Sequence, residues 1–257
     1  MVKLTPGEME QIAPLFSGME ETMIWSCLQG VMGDAWADRN DRPSAARIFI
    51  GGFLFFAGDS NAEGAEELVK DLPPFSRPWR LLVPSNEDWS DLIEAVYGDK
   101  AQRITRYAFY KDTAFDRAHL EKLRSSLPED YKIVPFDAEI YHSSLSEPWS
   151  QDFCPHFTDA EDFLARGIGS AVLHGCEMVG GASSYTIYNG GIEIEIDVRE
   201  DHRHKGLGTA CASDLILRCL DKGIYPSWDA ANLISVALAK KLGYRLKEAY
   251  PAYNVQL

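Results

Sequence analysis

An α/β fold built on a mixed sheet is predicted by three features of the chain. The run Gly191-Ile192-Glu193-Ile194-Glu195-Ile196-Asp197-Val198 alternates apolar and acidic residues, then gives way to a basic turn with two glycines and a helix. A second helix follows, opened by Asn232 and closed by Gly243. A similar order of strand, helix, strand, asparagine-led helix, glycine and strand occurs once earlier in the chain. Strands alternating with helices at this spacing argue for a sheet covered by helices rather than an all-β sandwich.

Element by element, Trp25–Trp36 and Ala45–Phe56 read as paired strands around the turn Arg39-Asn40-Asp41-Arg42-Pro43. Ala62–Asp71 reads as a helix and Trp79–Val83 as a strand. Asn86 suits the N-cap of a helix through about Tyr97, Gly98 ends it, and Ile104–Tyr110 is a strand. Later come strand Lys132–Phe136, a helix containing Ala160–Ala165, and strands Ser170–His174 and Met178–Tyr188 joined by a turn. Strand Ile192–Val198, helix Gly206–Asp221, strand Tyr225–Asp229, helix Asn232–Leu242 and strands within Tyr244–Val255 complete the chain. The expected division is residues 1–130 and 131–257.

At 257 residues the chain exceeds the roughly 100–200 expected of one domain, and two domains are the natural reading. A hydrophobic share of 46% is ample for buried cores. The net charge of −14 opposes nucleic-acid binding, which needs a basic face, and favours a cationic partner such as an amine. Five scattered cysteines with no C-x-x-C spacing read as reduced thiols in a cytoplasmic protein. The six histidines offer no metal-ligand spacing, so no metal is expected. The first ten residues lack the apolar core of a signal peptide, and Ile48–Ala57 is too short to cross a bilayer, so no membrane association is expected.

The stretch Arg203-His204-Lys205-Gly206-Leu207-Gly208-Thr209-Ala210-Cys211 sits between strand and helix. Its glycines let backbone approach a bulky anion, and the unpaired amides of a first helical turn point at that anion with the dipole behind them. A Walker loop is absent, and the dinucleotide fingerprint lacks its third glycine. The pattern Arg-x-x-Gly-x-Gly, with apolar Val198 five positions before Arg203, resembles the loop of the GCN5-related N-acetyltransferases (GNAT). The later segment Asn232…Ser235…Lys241-Leu242-Gly243-Tyr244 is similar to the second signature of that family. The resemblance implies a GNAT fold, a mixed central sheet flanked by helices, with residues 131–257 as the acetyl-CoA-binding domain. The first half then reads as a degenerate copy, with acidic Asp59 where a phosphate loop is basic. Val198, Arg203, His204, Lys205, Gly206, Leu207, Gly208, Thr209, Asn232 and Ser235 are the implied acetyl-CoA contacts. The runs Trp149…Phe153…Phe157 to Phe163, Glu193 to Ile196 and Pro226 to Asp229 further resemble the zwittermicin A resistance branch of the family.

The implied reaction moves an acetyl group from acetyl-CoA to a small-molecule amine. The family's thioester carbonyl receives a main-chain N–H, near Val198 here. Strand parity puts Ile192, Ile194, Ile196 and Val198 on one face and Glu193, Glu195 and Asp197 on the other. An acidic row is costly in a central strand unless it lines a wet cleft, so Glu193 and Glu195 are the candidate bases. An ion-paired strand face is the competing reading. The family's usual glutamate falls nearer Ile192 by counting from the loop, unless a bulge shifts the register. Its usual tyrosine acid is replaced by Ala239, which leaves Ser235, Tyr244, Tyr250 and Tyr253 as substitutes and none assigned. A non-catalytic acyl-CoA-binding sensor or scaffold is the alternative function. The acceptor, the acyl length and the oligomeric state, a homodimer included, stay open.

Overall fold

The chain opens with a short strand, β1 (Val2–Leu4), and a 3₁₀ helix over Pro6–Phe16. Thr5 and Glu8 cap each other reciprocally at its entrance, with the Thr5 amide donating to Glu8 Oε2 at 2.8 Å. The computed structural model describes residues 1–256, and its contacts define two units. One is Met1–Arg106 with the end of the chain from Ala249, the other Tyr107–Glu248.

In the first unit, helix α1 (Thr22–Leu28) is followed by β2 (Asp34–Ala37), β3 (Ala45–Ile50), β4 (Phe53–Gly58), α2 (Ala65–Lys70), β5 (Trp79–Pro84) and α3 (Glu87–Tyr97), and β6 (Ala101–Phe109) begins. β1 to β4 pair antiparallel in sequence order, whereas β4 and β5 run parallel with α2 between them in sequence. The chain's last strand (Leu246–Gln256) pairs antiparallel with β5, Tyr253 opposite Leu82. Leu54, Phe56, Leu68, Leu82, Trp89 and Val255 form the core, all fully buried.

The second unit contains α4 (Arg117–Arg124), β7 (Tyr131–Pro135), α5 (Ala138–Ser146), α6 (Ala160–Arg166), β8 (Gly169–His174), β9 (Glu177–Tyr188) and β10 (Gly191–Val198). Then follow α7 (Leu207–Asp221), β11 (Tyr225–Ser227), β12 (Asp229–Ala230), α8 (Leu233–Leu242) and the start of the last strand, β13. The sheet order is β11-β10-β9-β8-β7, antiparallel except for the parallel pair β10–β11. The apolar face of β10 meets α7: a Cβ on Gly208 would lie 3.6 Å from Val198 and 3.8 Å from Ile196. On the acidic face, Glu193 pairs with Thr186, Glu195 with Ser183 and Asp197 with Gly181. Phe153 covers that end, close enough that a Cβ on Gly181 would come within 2.9 Å of its ring.

A bulge does occur here, and β9 carries it. Thr186 faces Glu193 and Ser184 faces Ile194, so Tyr185 is the extra residue. The alternation along β10 therefore survives, while Thr186 and Ser183 both stay on the acidic face despite being three residues apart.

Three sequence expectations need correction. Trp25 to Leu28 is helical, because Met23, Ile24 and Cys27 bury at helical spacing; only Asp34–Ala37 of that run is a strand. Ala45–Phe56 is a hairpin of two strands, turned at Gly51 and Gly52 with φ of 60° and 83°. Tyr225–Asp229 breaks at Trp228: β11 pairs with β10, and Asp229 of β12 pairs with Ala108 of β6. The compact units divide at 106/107 and 248/249. Arg117 and Arg124 of α4 pair with Asp221 and Asp214 of α7, drawing that segment into the second unit. Tyr253 and Val255 belong to the first core.

Candidate functional site

The basic turn adopts the geometry an anion cradle needs. After Val198 the chain makes a 3₁₀ turn (Glu200–His202), passes His204 at φ 63° and Gly206 at φ 80°, and enters α7 at Leu207. Two left-handed residues in one turn direct successive amides toward one side. Among the described residues, the amides of Gly206, Leu207, Gly208 and Thr209 have no protein acceptor; the first helical bond is Ala210 N–H to Gly206 O at 3.1 Å. Those donors and the α7 dipole together make a site for a phosphate-sized anion.

The cradle opens on a cavity of about 550 Å³ within the second unit. Val198, Arg203, His204, Gly206, Leu207, Gly208, Thr209, Asn232 and Ser235 line it, so all but one of the expected cofactor contacts converge there. The exception is Lys205, whose ammonium donates to Tyr131 Oη and Asp201 O, each at 3.2 Å, outside the lining. Asn232 caps α8, accepting from the Ser235 amide at 3.0 Å, and the Ser235 hydroxyl accepts from Trp228 Nε1 at 3.1 Å. Exposed Ile234 adds an apolar wall. The β10 edge that faces β11 at Gly191–Glu193 has no paired strand from Ile194 to Val198 among the described residues.

Arg203 does not project freely. Its Nε donates to Val198 O at 2.9 Å and its Nη2 to Asp197 Oδ1 at 3.1 Å, closing the turn on the strand it leaves. The Val198 amide donates to the same Asp197 oxygen at 2.7 Å. Asp197 is thus a site residue that sequence reading missed. So is His202, buried beneath the turn between Tyr131 and Arg199 at 2.9 and 3.0 Å. Its partner Tyr131 lies 71 residues away in sequence, which no local pattern connects.

Glu193 and Glu195 do not line this cavity. Glu193 is 3% exposed and Glu195 half-buried. Glu193 sits at the point where β10 and β11 part, in register with Ser227. Nearby Tyr188 reaches Ser227 Oγ at 3.0 Å, and burial raises the phenol's pKa above its ordinary value. The substitute acids are placed differently. Tyr244 is buried and donates to Pro226 O at 2.6 Å, while Tyr253 donates to Glu94 Oε1 at 2.6 Å within the first unit.

A mixed sheet with a parallel fork, a two-glycine turn and a helix whose first amides have no protein acceptor define an α/β protein with an anion-receptive turn beside the open edge of its central strand. The family model described as GNAT acetyltransferase matches residues 13–253, and the chain belongs to that family. It is 30% identical over 247 residues to the uncharacterized N-acetyltransferase YdfB of Bacillus subtilis (strain 168), spanning 90% of this chain and 89% of the relative. The crystal structure of a GCN5-related N-acetyltransferase-like protein from Streptococcus suis 89/1591 superposes with a TM-score of 0.91 at 46% identity, covering 97% of this chain and 99% of that one. A tandem GNAT protein from the clavulanic acid biosynthesis pathway shares the fold at a TM-score of 0.54 and 13% identity, over 99% and 97% of the two chains. No described helix is long and apolar enough to cross a membrane.

Proposed function

We propose that the chain is an N-acetyltransferase that moves the acetyl group of acetyl-CoA directly to the amine of a small molecule. The observation carrying this reading is the set of amides at the α7 N-terminus without protein acceptors, opening on the cavity beside the unpaired edge of β10. The cavity's residues fit coenzyme A. The amides of Gly206 to Thr209 receive the diphosphate, with His204 and Arg203 beside them and Lys205 supplying charge from outside the lining. Asn232, Ser235 and the exposed face of α8 flank the pantetheine arm, which takes the edge that β11 leaves open. Bound there, coenzyme A supplies an activated thioester.

The protein's own groups do the rest. The Val198 amide serves the carbonyl oxygen once Asp197 releases it. The acidic row of β10 draws in the ammonium, and Glu193 or Glu195 accepts its proton. The net charge of −14 favours a cationic acceptor over a nucleic acid and suits a cytoplasmic protein. The aromatic run around Phe153 and Phe157 supports the likeness to the zwittermicin A resistance branch, and with it an amino-containing antibiotic or metabolite as acceptor.

Calorimetric titration with acetyl-CoA tests the first step; absence of binding at high micromolar concentration overturns the proposal. For the second step, thiol release is followed with a panel of primary amines. Replacing both Glu193 and Glu195 by Gln is expected to lower kcat by about 10²–10⁴-fold, the usual contribution of a general base, with acetyl-CoA affinity retained. Tight cofactor binding with no turnover on any amine, unchanged by the double replacement, establishes instead a non-catalytic acyl-CoA sensor or scaffold.

A further inference from the structure

The fork between β10 and β11 holds a pair of hydroxyls that the reading above leaves unused. The two strands stay in register as far as Glu193 and Ser227, and there the chain leaves the sheet at Trp228. Tyr188 lies across β10 at this fork. It is the cross-strand partner of Gly191, and a Cβ on Gly191 would fall 2.3 Å from its phenol oxygen. The glycine is a notch that admits the ring and lets the phenol reach Ser227 Oγ at 3.0 Å.

Register fixes the neighbours. Ser227 and Thr186 are the in-register partners of Glu193 on either side, so all three share one face of the sheet. Lys111 is electrostatically coupled to Tyr188, and its Nζ lies 3.4 Å from Trp228 O. Either hydroxyl of the pair can donate; with Tyr188 as the donor to Ser227 Oγ, the serine proton is left to turn into the fork.

We propose that Ser227, backed by Tyr188, protonates the coenzyme A sulfur as it departs. The inference rests on the acetyl-transfer reading above. As the amine nitrogen bonds to the acyl carbon and the carbon–sulfur bond breaks, Ser227 gives its hydroxyl proton to sulfur and takes the phenolic proton of Tyr188. The proton that the amine lost to Glu193 returns to Tyr188, and Lys111 stabilises the transient phenolate. One proton passes from nitrogen to sulfur, the second proton of the incoming ammonium leaves to solvent, and nothing is consumed. Ser227 is then a catalytic residue and Tyr188 a positioning residue that acts through it.

The test uses Ser227→Ala and Tyr188→Phe, the latter keeping the ring that fills the Gly191 notch. Calorimetry compares coenzyme A with desulfo-coenzyme A, a measurement that needs no acceptor. Wild type is expected to prefer the thiol several-fold, and both variants to lose that preference while binding desulfo-coenzyme A as wild type does. With the amine that gives fastest thiol release, both variants are expected to lose at least tenfold in kcat at unchanged KM for acetyl-CoA. Tyr188→Phe should also abolish the alkaline limb of the kcat profile, which a packing defect would leave in place. Wild-type thiol preference and pH profile in both variants overturn this inference alone. Failure of wild type to bind either coenzyme overturns the acetyl-transfer reading as well.

Discussion

Arginine can only donate hydrogen bonds, and at His202 that fact settles a tautomer. Arg199 Nη2 approaches His202 Nε2 at 3.0 Å, so Nε2 must be the acceptor and the ring proton sits on Nδ1, aimed at Tyr131 Oη 2.9 Å away. Lys205 donates to the same phenol oxygen at 3.2 Å. A second proton on His202 would set two donors against each other. Burial is the main cause that lowers its pKa below the ordinary histidine value; Asp201 opposes the shift, and Lys205, Arg199 and His174 reinforce it. The sign of the linkage follows. Below the ordinary pKa of about 6.5, the unfolded chain takes up a proton that the folded chain refuses. Stability therefore falls as pH drops from that value toward the folded pKa, and is fully present above it. Melting curves between pH 7.5 and 5 should show wild type losing more stability on acidification than His202→Gln. Parallel curves would remove His202 from the account of the loop.

At the scale of the element, the two glycines of the α7 entrance have different reasons to be there. Gly206 holds φ 80° with open space around its missing side chain, so Gly206→Ala meets backbone strain and no clash. A left-handed non-glycine residue costs about 1–2 kcal/mol, and urea denaturation should register it. Gly208 is helical, with only ordinary contacts to Val198 and Ile196 waiting for a Cβ, so Gly208→Ala should gain up to about 1 kcal/mol from helix propensity. A gain at Gly206→Ala or a loss at Gly208→Ala would contradict this assignment. Local chemistry of this kind is what the sequence makes legible. The Asn232 cap, the Gly243 stop with φ 107° and the period-two face of β10 follow from neighbours within a few residues. The helix at Thr22–Leu28 escaped because five of its seven residues are apolar, and so short an apolar run does not separate helix from strand by periodicity. The break at Trp228 could not be read at all. It depends on pairing with Ala108, more than a hundred residues away, and on a Trp228 indole that bonds Ser235. The same limit hid Tyr188 and Ser227, which become neighbours only through the parallel register of β10 and β11.

For the whole molecule, the first unit repeats the order of the second: β4, α2, parallel β5, an asparagine-capped helix, then Gly98. Its loop has nevertheless become the opposite of an anion cradle. Asp59 stands after the strand, and its own carboxylate accepts the Asn61 amide at 2.9 Å. The Ala62 amide donates to Asp59 O at 3.2 Å and the Ala65 amide to Ala62 O at 3.0 Å, so donors that a diphosphate would need are spent internally. Helix α2 is a six-residue stub with Glu66 and Glu67 in its first turn, which place negative charge where the second unit offers bare amides. On the proposed function, one coenzyme A per chain is the expected outcome, although the chain carries the strand–helix–strand order twice. Calorimetry at protein concentrations well above the Kd should give a stoichiometry of one, abolished by a change confined to the second unit such as Gly206→Pro and unaffected by Asp59→Ala. A stoichiometry of two in wild type would mean that the first loop is not silenced, and a second site created by Asp59→Ala alone would place the block in the Asp59 carboxylate rather than in the internal amide bonds and the acidic first turn of α2.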